Sequence, residues 1–131
     1  MIVLDASVAV TGLLVGGSAG DAARDVLRSG PLHAPHLLDV EVASAVRRWV
    51  VSGRLTEREA RLSLADLRDL AVDRHAHEPF LDRVLDLRDS VSAYDAMYVA
   101  LAELLNAPLV TADQRLARAS GIRCDVLLLP A

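Results

Sequence analysis

The sequence predicts an α/β sandwich in which helices cover a central, mainly parallel sheet of four to five short strands. Three observations support this fold class. Short apolar segments alternate along the chain with longer segments of helical spacing, as in parallel α/β sheets. The first apolar segment, Ile2–Leu4, contains no polar residue, as expected of a strand covered on both faces. The chain has 131 residues, 53% of them hydrophobic, which suits a single domain over residues 1–131.

In the first half of the chain, glycine and proline separate the predicted elements. The first strand ends at Asp5, and the helix that follows it is broken at Gly16. Gly53 is suited to cap the C-terminus of a long helix, and Thr56 with Glu59 has the spacing of a capping box at the start of the next one. The predicted strands cover residues 2–4 and 32–34, and the predicted helices cover 6–14, 21–27, 37–52 and 57–67.

In the second half, alternating apolar and polar residues over 70–75 predict a third strand. Pro79 suits the first turn of a helix, and Ser92 can cap the following helix. That helix is apolar on nearly every face, so we expect it to be buried. The predicted strands cover 70–75, 108–111 and 124–129, and the predicted helices cover 79–88, 93–106 and 113–119.

The composition excludes several classes of protein. All 14 basic residues are arginine, and the absence of lysine excludes a Walker-type phosphate loop as well as Schiff-base and pyridoxal enzymes. A single cysteine, Cys124, excludes a disulfide framework and a multi-cysteine zinc site. A signal peptide would require basic residues near its start, and none precedes Arg24. The longest apolar run is too short to cross a bilayer. We therefore expect a cytoplasmic protein without membrane contact.

Four acidic residues fall where this fold can bring them together. Asp5 ends the first strand and Asp113 follows the fourth strand. Asp95 lies in the first turn of its helix, and Glu41 lies in the first or second turn of the long helix. The binding crevice of an open parallel sheet lies beyond the C-terminal ends of its strands, and grouped carboxylates there suit Mg²⁺. Each acid also has a purely structural interpretation: Asp95 and Asp113 as capping residues, Asp5 as a loop residue and Glu41 as part of a solvated helix surface.

Four segments of the sequence resemble the PIN-domain family, in particular the toxin ribonucleases of VapBC-type toxin–antitoxin pairs. They are residues 2–7 (IVLDAS), 37–48 (LLDVEVASAVRR), 92–102 (SAYDAMYVALA) and 109–116 (LVTADQRL). Their order and spacing fit the family over essentially the whole chain. The resemblance implies a PIN-like α/β/α sandwich.

The resemblance also implies a metal-dependent endoribonuclease, the toxin of a type II pair, that hydrolyses RNA with water activated by Mg²⁺ or Mn²⁺. Asp5 and Asp95 match the surest metal ligands of the family, Asp113 matches a further ligand, and Glu41 matches an acid that supports the site or activates water. Ser7 and Thr111 match accessory hydroxyl residues. The implied partners are the RNA substrate, a cognate antitoxin and a second copy of the chain in a homodimer.

Substrate binding is expected to rest on a few arginines. Without the four site acids the chain has as many acidic as basic residues, so it lacks the broad basic surface of a non-specific polyanion binder. Arg115 and Arg118 follow Asp113 and are candidates for phosphate contacts, although a solvated helix face explains them equally well. The apolar run of residues 49–51 is wider than one core-facing stripe and could receive the antitoxin or a second copy.

Two other classes of protein also have acidic residues at strand ends, and the sequence disfavours both. A haloacid-dehalogenase-type phosphatase would need an aspartate where Ser7 stands, and a response-regulator receiver would need a lysine. Two alternatives within the family stay open: a PIN ribonuclease of RNA processing without an antitoxin, and a catalytically silent PIN module that only binds.

Overall fold

The computed structural model describes residues 1–130 and contains a five-stranded sheet in which every neighbouring pair of strands is parallel. The strand order is β3-β2-β1-β4-β5, so the first strand lies at the centre. The strands are β1 (Ile2–Leu4), β2 (Leu32–Pro35), β3 (Val72–His75), β4 (Leu109–Thr111) and β5 (Val126–Leu128). The predicted sheet is confirmed in strand number and direction.

In the described part of the chain, seven helices connect and cover these strands. They are α1 (Ala6–Leu14), α2 (Gly17–Leu27), α3 (Leu37–Val51), α4 (Glu57–Asp69), α5 (Leu81–Asp86), α6 (Ala93–Leu105) and α7 (Gln114–Ala117), with a 3-10 turn over Glu78–Phe80 before α5. α1 packs against α2, α3 and α4, whereas α6 packs against β1, β2, β4 and α5. The predicted α/β sandwich is therefore confirmed.

The order in which strands are added to the sheet reverses at β1. From β1 the chain moves to β2 and β3 on one side, and later to β4 and β5 on the other. In parallel α/β folds a crevice opens at such a switch point, beyond the carboxyl ends of the strands. Asp5 follows β1 at this point, and Thr111 is the last residue of β4.

The core is built from the apolar residues that define the strands and the central helix. Val3 and Leu4 of β1 are fully buried, as predicted for a strand covered on both faces. α6 contributes the longest buried run, Tyr98–Ala102, and its C-terminus at Asn106 takes a left-handed conformation. Burial of α6 fixes the direction of its first turn, which carries Asp95.

The prediction that the second helix begins at residue 21 is wrong, because α2 begins at Gly17. Two glycines in its first turn have low helix propensity and obscure this start. The structure shows what Gly20 contributes: a Cβ there would lie 1.9 Å from the carbonyl oxygen of Val15. Glycine thus permits the tight approach of α1 and α2.

A bidentate ion pair joins the edge strand to the helix layer. Nε and Nη2 of Arg74 in β3 donate to the two carboxylate oxygens of Asp39 in α3, at 2.7 and 3.0 Å. Asp39 is thus directed away from Glu41, two residues further along the same helix.

No single helix within residues 1–130 is long and apolar enough to span a membrane; only α1 and α2 taken together, bent by 119°, meet that length and composition.

Candidate active site

Asp5 is a buried carboxylate held by two hydroxyl groups. It occupies the N-cap position of α1 directly after β1, and its residue surface is 6% exposed. Oγ of Ser7 and Oγ1 of Thr111 both donate to Oδ2 of Asp5, at 2.5 and 2.8 Å. Burial raises the pKa of Asp5 above its ordinary value, although the hydroxyl and backbone hydrogen bonds oppose the rise. The structure thus brings both predicted accessory residues onto one oxygen of Asp5.

The same two hydroxyls fix the loop after β4. Oγ of Ser7 accepts the backbone N–H of Ala112 at 2.9 Å, and Oγ1 of Thr111 accepts the N–H of Asp113 at 3.0 Å. Each hydroxyl has a single proton, which it gives to Asp5, and therefore acts only as an acceptor towards the loop. This network joins the ends of β1 and β4. It also fixes the backbone position of Asp113, where α7 begins.

Glu41 lies in the second turn of α3 and is half-buried. Its Oε1 accepts a hydrogen bond of 2.6 Å from the phenol of Tyr98 in α6. Burial raises the pKa of Glu41, the charges of Asp5 and Asp95 raise it further, and the Tyr98 hydrogen bond opposes them. At the start of α3 the N–H of Leu37 donates to Nε2 of His77 at 2.9 Å, which anchors the helix that carries Glu41.

Asp95 lies in the first turn of α6, where Oγ of Ser92 accepts its backbone N–H at 3.1 Å. Ser92 is therefore the N-cap residue of α6, and its hydroxyl caps the backbone amide of Asp95. Burial raises the pKa of the Asp95 carboxyl, and the charges of Asp5 and Asp113 add to this rise. Ser92 and Arg115 act in the opposite direction.

Asp113 is the N-cap residue of α7, with Oδ1 accepting the N–H of Arg115 at 2.9 Å. The Arg115 guanidinium also lies 3.2 Å from Oδ2, and this contact lowers the pKa of Asp113. Arg115, predicted to contact substrate phosphate, is thus paired with Asp113, although its side chain is 90% exposed. Arg118 is the exposed C-cap residue of α7.

The four predicted acids act on one another electrostatically. The charge of Asp5 acts on both Glu41 and Asp95, and that of Asp113 acts on Asp95. As the side chains stand, however, no group of three or more His, Cys, Asp or Glu residues within 1–130 is arranged to hold a metal ion. Asp113 is paired with Arg115, whereas Glu41 accepts its hydrogen bond from Tyr98 at a position where the charges of Asp5 and Asp95 still act on it.

The donor set nevertheless fits a hard divalent cation. Carboxylate oxygens are the ligands that Mg²⁺ and Mn²⁺ prefer, and Asp5 is placed rigidly by its hydroxyl partners. Burial raises the pKa values of Asp5, Glu41 and Asp95, and repulsion from neighbouring carboxylates adds to the rise at Glu41 and Asp95. A cation among them would relieve that repulsion.

Sequence reasoning missed Tyr98. Tyrosine in an apolar helix is readily interpreted as core, and Tyr98 is indeed fully buried. A signal was present in its spacing, since Tyr98 follows Asp95 by three residues and so lies on the same helix face. A buried tyrosine hydroxyl normally has a hydrogen-bond partner, and here the partner is Glu41.

A parallel α/β sheet with acidic residues near its switch point is typical of several classes of protein, among them hydrolases that act on phosphodiesters through divalent cations. Comparison with known proteins makes the class specific. The family model described as PIN domain matches residues 2–122. A VapC ribonuclease of Mycobacterium bovis is 43% identical over 130 residues, covering 99% of each chain. The chain belongs to the PIN-domain family and, within it, to the VapC ribonucleases.

Solved structures agree with this fold. Mycobacterium tuberculosis VapC20, described as a sarcin-ricin loop cleaving toxin, superposes with a TM-score of 0.71 at 15% identity, covering 93% of this chain and 96% of that one. The structure of VapBC2 from Rickettsia felis, bound to a DNA fragment from its promoter, matches with a TM-score of 0.67 at 14% identity, covering 98% and 99%. At these identities the likeness concerns the fold.

Proposed function

We propose that Asp5, Glu41, Asp95 and Asp113 form the active site of a Mg²⁺-dependent endoribonuclease that is the toxin of a type II toxin–antitoxin pair. The observation that carries the proposal is the arrangement around Asp5. A carboxylate that is 6% exposed is held on one oxygen by two hydroxyls and lies in the field of two more carboxylates. Buried carboxylates in proteins are usually paired with a cationic side chain or coordinate a metal.

In this site Asp5 and Asp95 would hold the divalent ion, and Asp113 would be a further ligand once Arg115 moves away from it. Mg²⁺ is the first choice, and Mn²⁺ suits the same oxygen donors. When bound, such an ion supplies Lewis-acid stabilisation of charge on the phosphoryl oxygens. Ser7 and Thr111 orient Asp5, because both hydroxyls donate to Oδ2 and fix the position of the carboxylate. Neither hydroxyl donates to Oδ1.

Glu41 would take the proton of the attacking water. Burial and, to a smaller extent, its carboxylate neighbours raise its pKa, which makes it a better proton acceptor than an exposed glutamate. The water oxygen would bond to phosphorus as the bond from phosphorus to the O3′ leaving oxygen breaks, and a proton from Glu41 or from solvent would complete the upstream 3′-hydroxyl. The downstream fragment would keep a 5′-phosphate. A ribonuclease based on histidine would instead leave a cyclic phosphate on the upstream fragment.

The RNA would be held by a small number of arginines. Arg118 is exposed at the end of α7, close in sequence to Asp113, and Arg115 becomes available when Asp113 turns to the ion. Guanidinium groups suit phosphate oxygens. The near-neutral remainder of the chain gives little non-specific attraction, so recognition depends on these contacts and on RNA shape.

An antitoxin would cover the surface formed by α3 and α4. A groove of about 260 Å³ lies between them, lined by Val46, Val50, Ala60 and Leu64. Val51 at its border is 73% exposed, and Leu62 on α4 is 57% exposed. An amphipathic segment would bury these residues. A second copy of the chain, in a homodimer, is the alternative occupant.

The protein would act in the cytoplasm.

The test is induced expression of the chain, with and without its antitoxin, followed by sequencing of RNA 5′-phosphate ends. New ends that need intact Asp5, and that co-expressed antitoxin suppresses, are the expected result. The Asp5→Ala protein is the control. Ends that form equally with the antitoxin present would indicate an RNA-processing nuclease, and no ends above the Asp5→Ala background would indicate a silent binding module.

A further inference from the structure

Tyr98 connects the helix that carries Asp95 to the helix that carries Glu41. The tyrosine is fully buried in α6, and its hydroxyl donates to Oε1 of Glu41 at 2.6 Å across a sequence separation of 57 residues. A phenylalanine would fill the same core volume without this contact. The hydroxyl therefore does something that packing alone does not require.

The hydrogen bond restricts a flexible side chain. A glutamate has three rotatable side-chain bonds, and a half-buried glutamate near two other carboxylates would be driven outward into water by repulsion. Tyr98 lies on the same face of α6 as Asp95. The rigid helix α6 thus places Asp95 directly and places Glu41 through the phenol.

We propose that Tyr98 is a positioning residue, which holds the Glu41 carboxylate at a fixed point relative to Asp5 and Asp95. The inference rests on the proposed role of Glu41 in RNA cleavage. Burial raises the pKa of Tyr98, and the charge of Glu41 and its hydrogen bond raise it further. The phenol consequently stays protonated and remains a donor throughout the physiological pH range.

The chain offers a matched pair of substitutions for the test. Tyr98→Phe removes the buried hydroxyl, and Tyr94→Phe makes the same change on the same helix at a residue that is 62% exposed. Purified proteins are compared on a labelled RNA oligonucleotide that contains a site cut by the unsubstituted chain, with Mg²⁺ present. We expect Tyr98→Phe to lower kcat about tenfold or more, which corresponds to the loss of a hydrogen bond to a charged group, while KM stays within about twofold. Tyr94→Phe should leave both values unchanged.

A double-mutant cycle with Glu41→Gln separates positioning from structure. Rates are measured under single-turnover conditions so that slow variants can be followed. If Tyr98 acts only through Glu41, Tyr98→Phe has no further effect on the rate of the Glu41→Gln protein. The thermal midpoint of Tyr98→Phe should stay within about 3 °C of the unsubstituted value, because the Glu41 carboxylate is only half-buried and can exchange the phenol for water.

Two results would overturn the inference: an unchanged kcat in Tyr98→Phe, or the same rate loss in the presence and absence of Glu41→Gln. These results leave the proposed function intact as long as Glu41→Gln itself is slow. A fully active Glu41→Gln protein is a different outcome, which contradicts the role of Glu41 in the proposed function and with it the role of Tyr98.

Discussion

The hydroxyl of Thr111 at the end of β4 donates a 2.8 Å hydrogen bond to Oδ2 of Asp5, which lies 106 residues away at the end of β1. Thr111 is fully buried and Asp5 nearly so. The contact therefore stabilises a charged group that burial alone would disfavour. It also joins the ends of the neighbouring strands β1 and β4, where the site is formed.

Thr111→Val keeps the shape of the side chain and removes this donor. We expect a loss of about 2 kcal/mol in the free energy of unfolding at neutral pH, which is the contribution of a hydrogen bond to a charged group. The hydrogen bond lowers the pKa of Asp5, so its removal raises that pKa, and the acid limb of the pH–rate profile should move to higher pH. Chemical denaturation and the rate profile measure the two effects.

Thr111→Ser is the control, because it keeps the hydroxyl and removes a buried methyl group. It should lose about 1 kcal/mol from the cavity and leave the acid limb where it is. If the limb moved as far in Thr111→Ser as in Thr111→Val, the shift could not be assigned to the hydroxyl.

The pKa of Asp95 is raised and that of Asp113 is lowered, so loss of charge at the two positions should have different effects on the stability of the metal-free protein. Burial and neighbouring carboxylates raise the pKa of Asp95, so its contribution to stability is present at low pH and is lost as pH rises through the raised value. Asp95→Asn should therefore be as stable as the unsubstituted protein near about pH 4 and equally or more stable at about pH 7. It should also lack cleavage and gain little stability from Mg²⁺.

Asp113→Asn is the matched control. Arg115 lowers the pKa of Asp113, so the charged form contributes stability at neutral pH, and the contribution is small because Arg115 is exposed. Asparagine also caps helices well, so we expect a slight loss or no change. A large loss of metal-free stability in Asp95→Asn would show that Asp95 mainly supports the start of α6.

The sequence predicts those features of the fold and the site that depend on residues close together in the chain, and it predicts less well those that depend on tertiary contacts. β1 and α1 have the predicted bounds, and the Thr56–Glu59 capping box forms as predicted, because each depends on neighbouring residues. The start of α2 at Gly17 depends on close contact with α1, which helix propensity does not report. The four acids could be placed at one end of the sheet from topology, but their present partners could not.

The ion pair of Arg83 and Glu103 should be the main electrostatic support of the fold away from the site. Nε and Nη2 of Arg83 in α5 donate to the two oxygens of Glu103 in α6, at 2.7 and 2.9 Å, and both side chains are less than one-fifth exposed. Burial raises the pKa of Glu103, but hydrogen bonds from Arg83 and from the Arg123 amide lower it below its ordinary value overall. The stability that this pair contributes is present at neutral pH and is lost as pH falls through the lowered value.

Glu103→Gln should therefore cost about 2 kcal/mol at neutral pH, and the cost should shrink below about pH 4. Glu57→Gln in the exposed pair with Arg61 is the control and should cost at most about 0.5 kcal/mol. Urea denaturation across pH measures both. Equal costs in the two variants would mean that burial adds nothing to the Arg83 pair.

The α3–α4 surface can be tested by adding charge at Val51. Val51→Glu should weaken the complex with the antitoxin about tenfold or more, because the glutamate would be desolvated in an apolar contact. Cleavage by the free protein should be unchanged. Leu81→Glu, at another exposed apolar position, is the control. Calorimetry with the purified antitoxin gives the affinities. An unchanged affinity together with an altered oligomeric mass would assign this surface to a second copy of the chain.

The most direct test of the central claim is anomalous scattering from crystals of the protein grown with Mn²⁺. The account predicts a peak between the carboxylates of Asp5 and Asp95, with Asp113 turned from Arg115 towards the ion, and no such peak in Asp5→Ala crystals. Mn²⁺ bound elsewhere, or no peak between Asp5 and Asp95 at saturating Mn²⁺, would contradict the assignment of these four acids to one cation-binding site.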